Sequence, residues 1–237
     1  MTIAPQPPSL SYRFCRQCFR AFFAFYFRFR IRHPERVPRK GPVILAPNHV
    51  SYADPVFVTV AVQRLVIGLA RKSAFRVPVG GGILRSWHAI PVDRDGASGE
   101  GLRTILQRLR EGNAVQLFPE GTRSMDGKLQ PPQPGIGLLI AKSDAPVVPI
   151  HISGAYEAWG RRLKVPRPRH VELTFGKPID FAKLRARARK EKGREAKAIY
   201  QQAAEKLMTA INTLNSHQAA TLSGSGKYVA QENANHS

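Results

Sequence analysis

The chain has 237 residues, 43% of them hydrophobic, which is enough for one globular domain with a substantial core. Its 37 lysines and arginines stand against 16 acids, giving a formal net charge of +21, and such an excess points to an anionic partner: nucleic acid, anionic lipid or a phosphorylated substrate. Two cysteines argue against a disulfide framework, and no Cys/His cluster has metal-ligand spacing, so neither a metal nor any other cofactor is expected.

Residues 1–9 are proline-rich and read as a flexible N-terminus, without the basic start or the small-residue cleavage site of a secretory signal. Residues 10–27, LSYRFCRQCFRAFFAFYF, read as a helix with Arg13, Arg16 and Arg20 on one face and Phe14, Cys18, Phe22, Phe25 and Phe29 on the other. That pattern predicts an amphipathic segment lying on a membrane surface; the alternative is a helix packed on the domain with its arginines in water. The apolar run Ala21 to Phe27 is closed by Arg20 and Arg28, far short of the roughly 18–20 residues that span a bilayer. Cys15-x-x-Cys18 falls in this helix, where the two cysteines and Phe22 share a face and read as packing residues.

From residue 28 to 215 the pattern alternates between strand-like and helix-like stretches. Strands are predicted at 27–33, 41–45, 64–70, 89–92, 114–118, 146–152 and 171–176, and helices at about 98–111 and 135–143. After Asp54, PVFVTVAVQR reads as a helix with Asp54 as its N-cap and Pro55 at the first helical position. The expected fold is α/β, with a central, largely parallel or mixed sheet flanked by helices. Residues 181–215 form a long basic helix broken near Gly193, with Leu207, Ile211 and Leu214 as an apolar stripe, and residues 216–237 read as a disordered polar tail.

SGSGK at 223–227 lacks the glycine spacing of a phosphate loop, GGG at 80–82 does not continue into a dinucleotide fingerprint, and no G-x-S-x-G elbow occurs. The spacing H-x4-D occurs twice, as His49/Asp54 and His88/Asp93. The second pair lies in HAIPVD, a predicted strand, where residues an odd number apart point to opposite faces. The first pair brackets a turn between a strand and a helix, which can fold the two side chains together at a strand end, where α/β proteins place their sites. Two further strand ends join it: IPVDR (90–94), ending in Arg94, and FPEGTRS (118–124), which sets Glu120, Gly121, Thr122 and Arg123 on a tight turn. Taken singly, each has a bland reading as a helix cap, a solvated cation or a local ion pair.

Taken in order, NHVSYADP, IPVDR, FPEGTRS and APVVPI resemble the four motifs of the glycerolipid acyltransferases of the 1-acylglycerol-3-phosphate type, over about residues 28–180. The resemblance implies transfer of a fatty acyl chain from an acyl-CoA or acyl-carrier-protein thioester to the hydroxyl of a glycerol phosphate, with lysophosphatidic acid as acceptor and phosphatidic acid as product. It makes His49 and Asp54 the catalytic pair and Arg94 and Arg123 the phosphate-binding residues. Glu120, Gly121 and Thr122 shape that site, Lys72 joins it, and Pro149 lies near the acyl donor. The sequence departs from the family at His88, where glycine is frequent, and in QPPQPG (130–135), which lacks a Phe-Lys pair.

The chemistry suits these residues. A positioned base speeds attack by a hydroxyl by about 10²–10⁴-fold, and an aspartate fixes the imidazole tautomer. The thioester is already activated, so no covalent acyl-enzyme is required, and Ser51 between the pair carries no nucleophile motif. Lipid substrates and a basic surface imply a membrane-associated enzyme, peripheral or monotopic, on the cytoplasmic face. Other acceptors share the same chemistry: glycerol 3-phosphate, a lysophospholipid or a lyso-aminolipid. The charge also allows a nucleic-acid-binding protein, but no recognised module supports one, and no nucleic-acid partner is expected.

Overall fold

The computed structural model describes residues 9–78, 80–87, 89–92 and 99–234. Its elements are α1 (Leu10–Tyr26), β1 (Arg30–Arg32), β2 (Val43–Pro47), α2 (Asp54–Ala61), β3 (Val66–Ile67), β4 (Leu69–Arg71), α3 (Gly80–Ser86), β5 (Ile90–Val92) and α4 (Gly99–Arg110). They continue as β6 (Ala114–Gln116), α5 (Pro134–Lys142), β7 (Val147–Ser153), α6 (Ala155–Trp159), β8 (Glu172–Phe175), α7 (Ala182–Lys190) and α8 (Gly193–Ala234). Short 3-10 turns occupy Pro34–Arg36 and Lys72–Arg76.

Six strands form the main sheet in the order β1-β8-β7-β2-β6-β3, parallel throughout except for the antiparallel pair β7 and β8. The central strands are apolar at nearly every position because helices cover both faces. Alternation along β2 sends Val43 and Leu45 to one cluster with Phe23, Phe27 and Phe57, under α1 and α2. Ile44 and Ala46 go to the other, with Ile105, Ile140, Leu207 and Ile211 from α4, α5 and α8. The α/β expectation thus takes the form of a three-layer domain.

Several boundaries differ from the sequence reading. The stretch 64–70 is two strands, because Gly68 lets the chain leave the main sheet: a Cβ there would lie 2.6 Å from the Gln116 side chain. β4 and β5 then pair with each other in a separate two-stranded sheet, so IPVDR does not end a strand of the main sheet. Residues 10–27 pack on the domain with one face. Tyr12, Phe23 and Phe27 are buried in the domain, and Arg16 donates to the carbonyl of Val62 beyond α2. Phe29 lies past the end of α1 and stacks on Phe57 at 5.0 Å. The basic helix breaks at Glu191–Lys192, as Gly193 suggests, but α8 then continues to Ala234, through most of the stretch read as a disordered tail.

Candidate active site

β2 and β6 are parallel neighbours, so the turn after each emerges at the same edge of the sheet. The turn after β2 carries His49 and Asp54. Imidazole Nδ1 of His49 lies 2.9 Å from Asp54 Oδ2, and the same oxygen accepts the backbone N–H groups of Val50 and Ser51, each at 2.7 Å. Asp54 is therefore not the N-cap of α2. Ala53 holds that position, and the Asp54 carboxylate turns back to close the loop in front of the helix. Pro55 fits because the first helical turn needs no N–H from it. Asp54 is fully buried, while the His49 side chain keeps 16% of its surface in contact with solvent. With Nδ1 engaged, Nε2 has no hydrogen-bond partner among the described residues.

The turn after β6 holds His49 from three sides. The Phe118 ring stacks on the imidazole with centroids 3.9 Å apart. Glu120 Oε1 accepts the His49 backbone N–H at 2.9 Å, and the Ser124 N–H donates to the His49 carbonyl at 2.8 Å. Glu120 Oε2 accepts from the Gln130 N–H at 3.1 Å, which ties QPPQPG to the same carboxylate. Burial pushes the Glu120 carboxyl up to about 7 against the pull of these two N–H groups, and the nearby Asp54 carboxylate adds to the rise. Gly121 has φ +67, and a Cβ there would meet the Gln133 side chain at 2.6 Å, so only glycine makes this turn without strain.

Arg123 leaves that turn and lies over the Tyr52 ring, 3.5 Å from its centroid, on the His49–Asp54 loop. Its Nη1 is buried with no hydrogen-bond partner among the described residues. Ser51 is occupied: its hydroxyl donates to the Trp159 carbonyl at 2.9 Å and accepts from the Ala53 N–H. That leaves no free hydroxyl for a covalent acyl-enzyme. Asn48 hydrogen-bonds both the N–H and the carbonyl of Ile152, locking the end of β2 to β7. The sequence reading assigned Asn48 no role, although an amide one residue past a buried strand has backbone groups within reach.

The acyltransferase family profile matches residues 28–153, which include both turns. The chain belongs to the acyltransferase family. It is 26% identical over 182 residues to the 1-acyl-sn-glycerol-3-phosphate acyltransferase of Bacillus subtilis (strain 168), covering 75% of this chain and 88% of that one. It is 31% identical over 144 residues to the enzyme of the same name from Limnanthes douglasii, covering 60% of this chain and 51% of that one. Its fold resembles that of the 1-acyl-sn-glycerophosphate (LPA) acyltransferase PlsC from Thermotoga maritima, with a TM-score of 0.67 at 21% identity over 86% of this chain and 79% of that one.

In this acyltransferase the remaining candidates fall into different places. Lys72 and Thr122 are exposed. Lys72 follows β4, whose Arg71 is in register with Val92 of β5, so it leaves the small sheet at the end that leads on to Arg94. Arg94 itself, like His88 and Asp93, lies outside the described residues. Pro149 is buried inside β7, in register with Ala46, and a Cβ on Gly176 would meet its ring at 2.6 Å. Pro149 therefore packs within the sheet. Glu120 supports the His49 turn through backbone N–H groups.

Proposed function

We propose that this acyltransferase moves a fatty acyl chain from a coenzyme A or carrier-protein thioester to the free hydroxyl of 1-acylglycerol 3-phosphate, giving phosphatidic acid. The observation that carries this reading is the 2.9 Å contact between His49 Nδ1 and Asp54 Oδ2, with Arg123 on the same loop's Tyr52 and its Nη1 without a hydrogen-bond partner among the described residues. Asp54 holds the proton on Nδ1, which leaves the Nε2 lone pair as a base. The acceptor hydroxyl gives its proton to Nε2 as its oxygen attacks the thioester carbonyl. The tetrahedral adduct then collapses, the C–S bond breaks, and the thiolate takes the proton from the imidazolium. Arg123, with Arg94, grips the acceptor phosphate by charge-assisted hydrogen bonds, which orients the hydroxyl toward His49. Stacking of Arg123 on Tyr52 supports this role, because a guanidinium held by its face keeps its edge for an anion.

The acceptor and product are lipids, so the enzyme works on an anionic membrane surface, at its cytoplasmic face. Support comes from α1, whose outer face leaves Leu10, Phe14 and Phe25 at 81%, 72% and 88% exposure. Among the described residues no helix is long and apolar enough to cross a membrane. The test is an assay of the purified protein with 1-acylglycerol 3-phosphate, glycerol 3-phosphate, lysophospholipids and a lyso-aminolipid, each with acyl-CoA and acyl-carrier protein. Transfer to 1-acylglycerol 3-phosphate should dominate and vanish in His49→Ala, and Arg123→Ala should raise the acceptor KM while leaving the donor KM in place. Preferred transfer to a phosphate-free acceptor would overturn the assignment.

A further inference from the structure

Each end of α2 faces a different feature. Its N-terminal end carries Asp54 and the catalytic turn. Beyond its C-terminal end, about 10 Å away along the axis, lies a cavity of about 340 Å³ between α1, β1 and the loop 34–39. Arg20, Arg39 and Arg64 line it, against one acid, Glu35. Ile31, Val37 and Val62 give it an apolar wall.

The three arginines do different things. Arg64 is structural: its guanidinium donates to the carbonyls of Pro38, Gly41 and Gly112 at 2.7 to 2.9 Å, which pins the loop that carries Arg39. Arg20 and Arg39 make no hydrogen bond or ion pair among the described residues, although both line the cavity. Glu35 makes no ion pair with either arginine among the described residues, and its carboxylate lies 3.2 Å from His33 Nδ1 instead.

The cavity also has a definite position relative to α1. At 100° per residue, Arg20 falls on the flank between the buried face of Tyr12 and Phe23 and the exposed face of Phe14 and Phe25. If the exposed face meets lipid, this flank lies at the depth of the headgroups.

We propose that this cavity binds a phosphate ester carried on an amphiphile, the phosphodiester headgroup of an anionic phospholipid, separately from the acceptor site at Arg123. Arg20 and Arg39 hold the phosphate, the fixed charge of Arg64 adds attraction from below, and the apolar wall takes the start of the lipid's glycerol backbone. The bound lipid would seat α1 against the C-terminal end of α2. The site requires only phosphate recognition, so it does not depend on the identity of the acyl acceptor.

The experiment titrates the full chain, carrying Arg123→Ala to silence the other phosphate contact, with monomeric dihexanoylphosphatidylglycerol by calorimetry. Inorganic phosphate is the second probe. Arg20→Ala and Arg39→Ala should each weaken lipid binding by at least about fivefold, the factor that corresponds to about 1 kcal/mol per cation at a lipid surface. Gln63→Trp keeps every charge but fills the cavity mouth, since exposed Gln63 also lines it, and should weaken binding by about tenfold or more. All three substitutions are at exposed side chains, and a thermal midpoint unchanged from that of the Arg123→Ala parent verifies folding. Lipid binding unchanged from the Arg123→Ala parent in Gln63→Trp and in Arg39→Ala overturns the site. Inorganic phosphate binding as tightly as the lipid overturns the lipid assignment in favour of a soluble phosphate.

Discussion

Oδ2 of Asp54 accepts three hydrogen bonds while Oδ1 is buried without any, and this imbalance separates the two roles of the residue. An asparagine retains an oxygen for the N–H groups of Val50 and Ser51 but carries no charge to stabilise an imidazolium. Asp54→Asn should therefore lower kcat by about 10²–10⁴-fold while the thermal midpoint stays near that of the parent. Asp54→Ala strands two buried backbone donors and should cost about 1–3 kcal/mol for each, measured by denaturant unfolding. Equal stability loss in both variants would contradict the separation. Glu120 makes a pH-dependent prediction. The folded carboxyl keeps its proton up to about 7, whereas an unfolded glutamate loses it near 4.5. Between those values the unfolded chain binds fewer protons, so this group makes stability fall as pH rises through the window and leaves it level above. A midpoint-versus-pH curve of the parent should show this slope, and Glu120→Gln, which cannot ionise, should flatten it.

Close packing of the elements fixes where the site can sit. α5 follows the turn after β6 and lies against α8, and Gly137 is the contact that permits it: a Cβ there would be 1.8 Å from the Tyr200 carbonyl oxygen. Backbone cannot yield as a flexible side chain can, so Gly137→Ala should force α5 and α8 apart and cost at least about 1–3 kcal/mol by urea denaturation. The acceptor KM should change little, since the displaced helices lie on the opposite face of the sheet from α2. A variant as stable as the parent would show that the two helices are free to slide. The FPEGTRS turn works at this same scale. Its phenylalanine, glutamate and serine grip one histidine from three directions, so the β6–α5 connection acts as a clamp for the His49–Asp54 turn.

At the scale of the whole molecule, α1 has two apolar faces with opposite uses. Tyr12, Phe23 and Phe27 belong to the core, while Leu10, Phe14 and Phe25 stand in solvent. Removing residues 1–27 would uncover Phe57 and destabilise the domain, so deletion cannot isolate a membrane role. The double substitution Phe14→Ser and Phe25→Ser leaves the core intact. It should shift the protein from anionic vesicles into solution by about tenfold or more in a sedimentation assay, since each phenylalanine loses about 1.5–3 kcal/mol of possible burial. High salt should weaken binding of the parent only in part, because screening acts on the cations and not on the aromatic contacts. Sedimentation that matches the parent would move the anchor to the basic stretch 161–197.

The α/β class, most of the main strands and the pairing of His49 with Asp54 were legible in the order of residues alone. Continuous apolar strands record burial on both faces, and a histidine and an aspartate bracketing a strand-to-helix turn have few other ways to point. Local signals also marked the break before Gly193 and the short reach of the Phe-rich helix. Features that depend on distant neighbours emerged from the folded arrangement. Asp54 fits the statistics of a helix cap, yet the N–H groups of Val50 and Ser51 draw its carboxylate back into the loop. The contact of the Glu120 carboxylate with the His49 N–H arises only when β6 is set beside β2. Helical spacing divided α1 into arginine and phenylalanine faces but could not tell which aromatics meet a core, because burial is set by the partner surface and not by the helix. The split of 64–70 into two sheets and the cavity beyond α2 likewise arise from contacts between residues far apart in the chain.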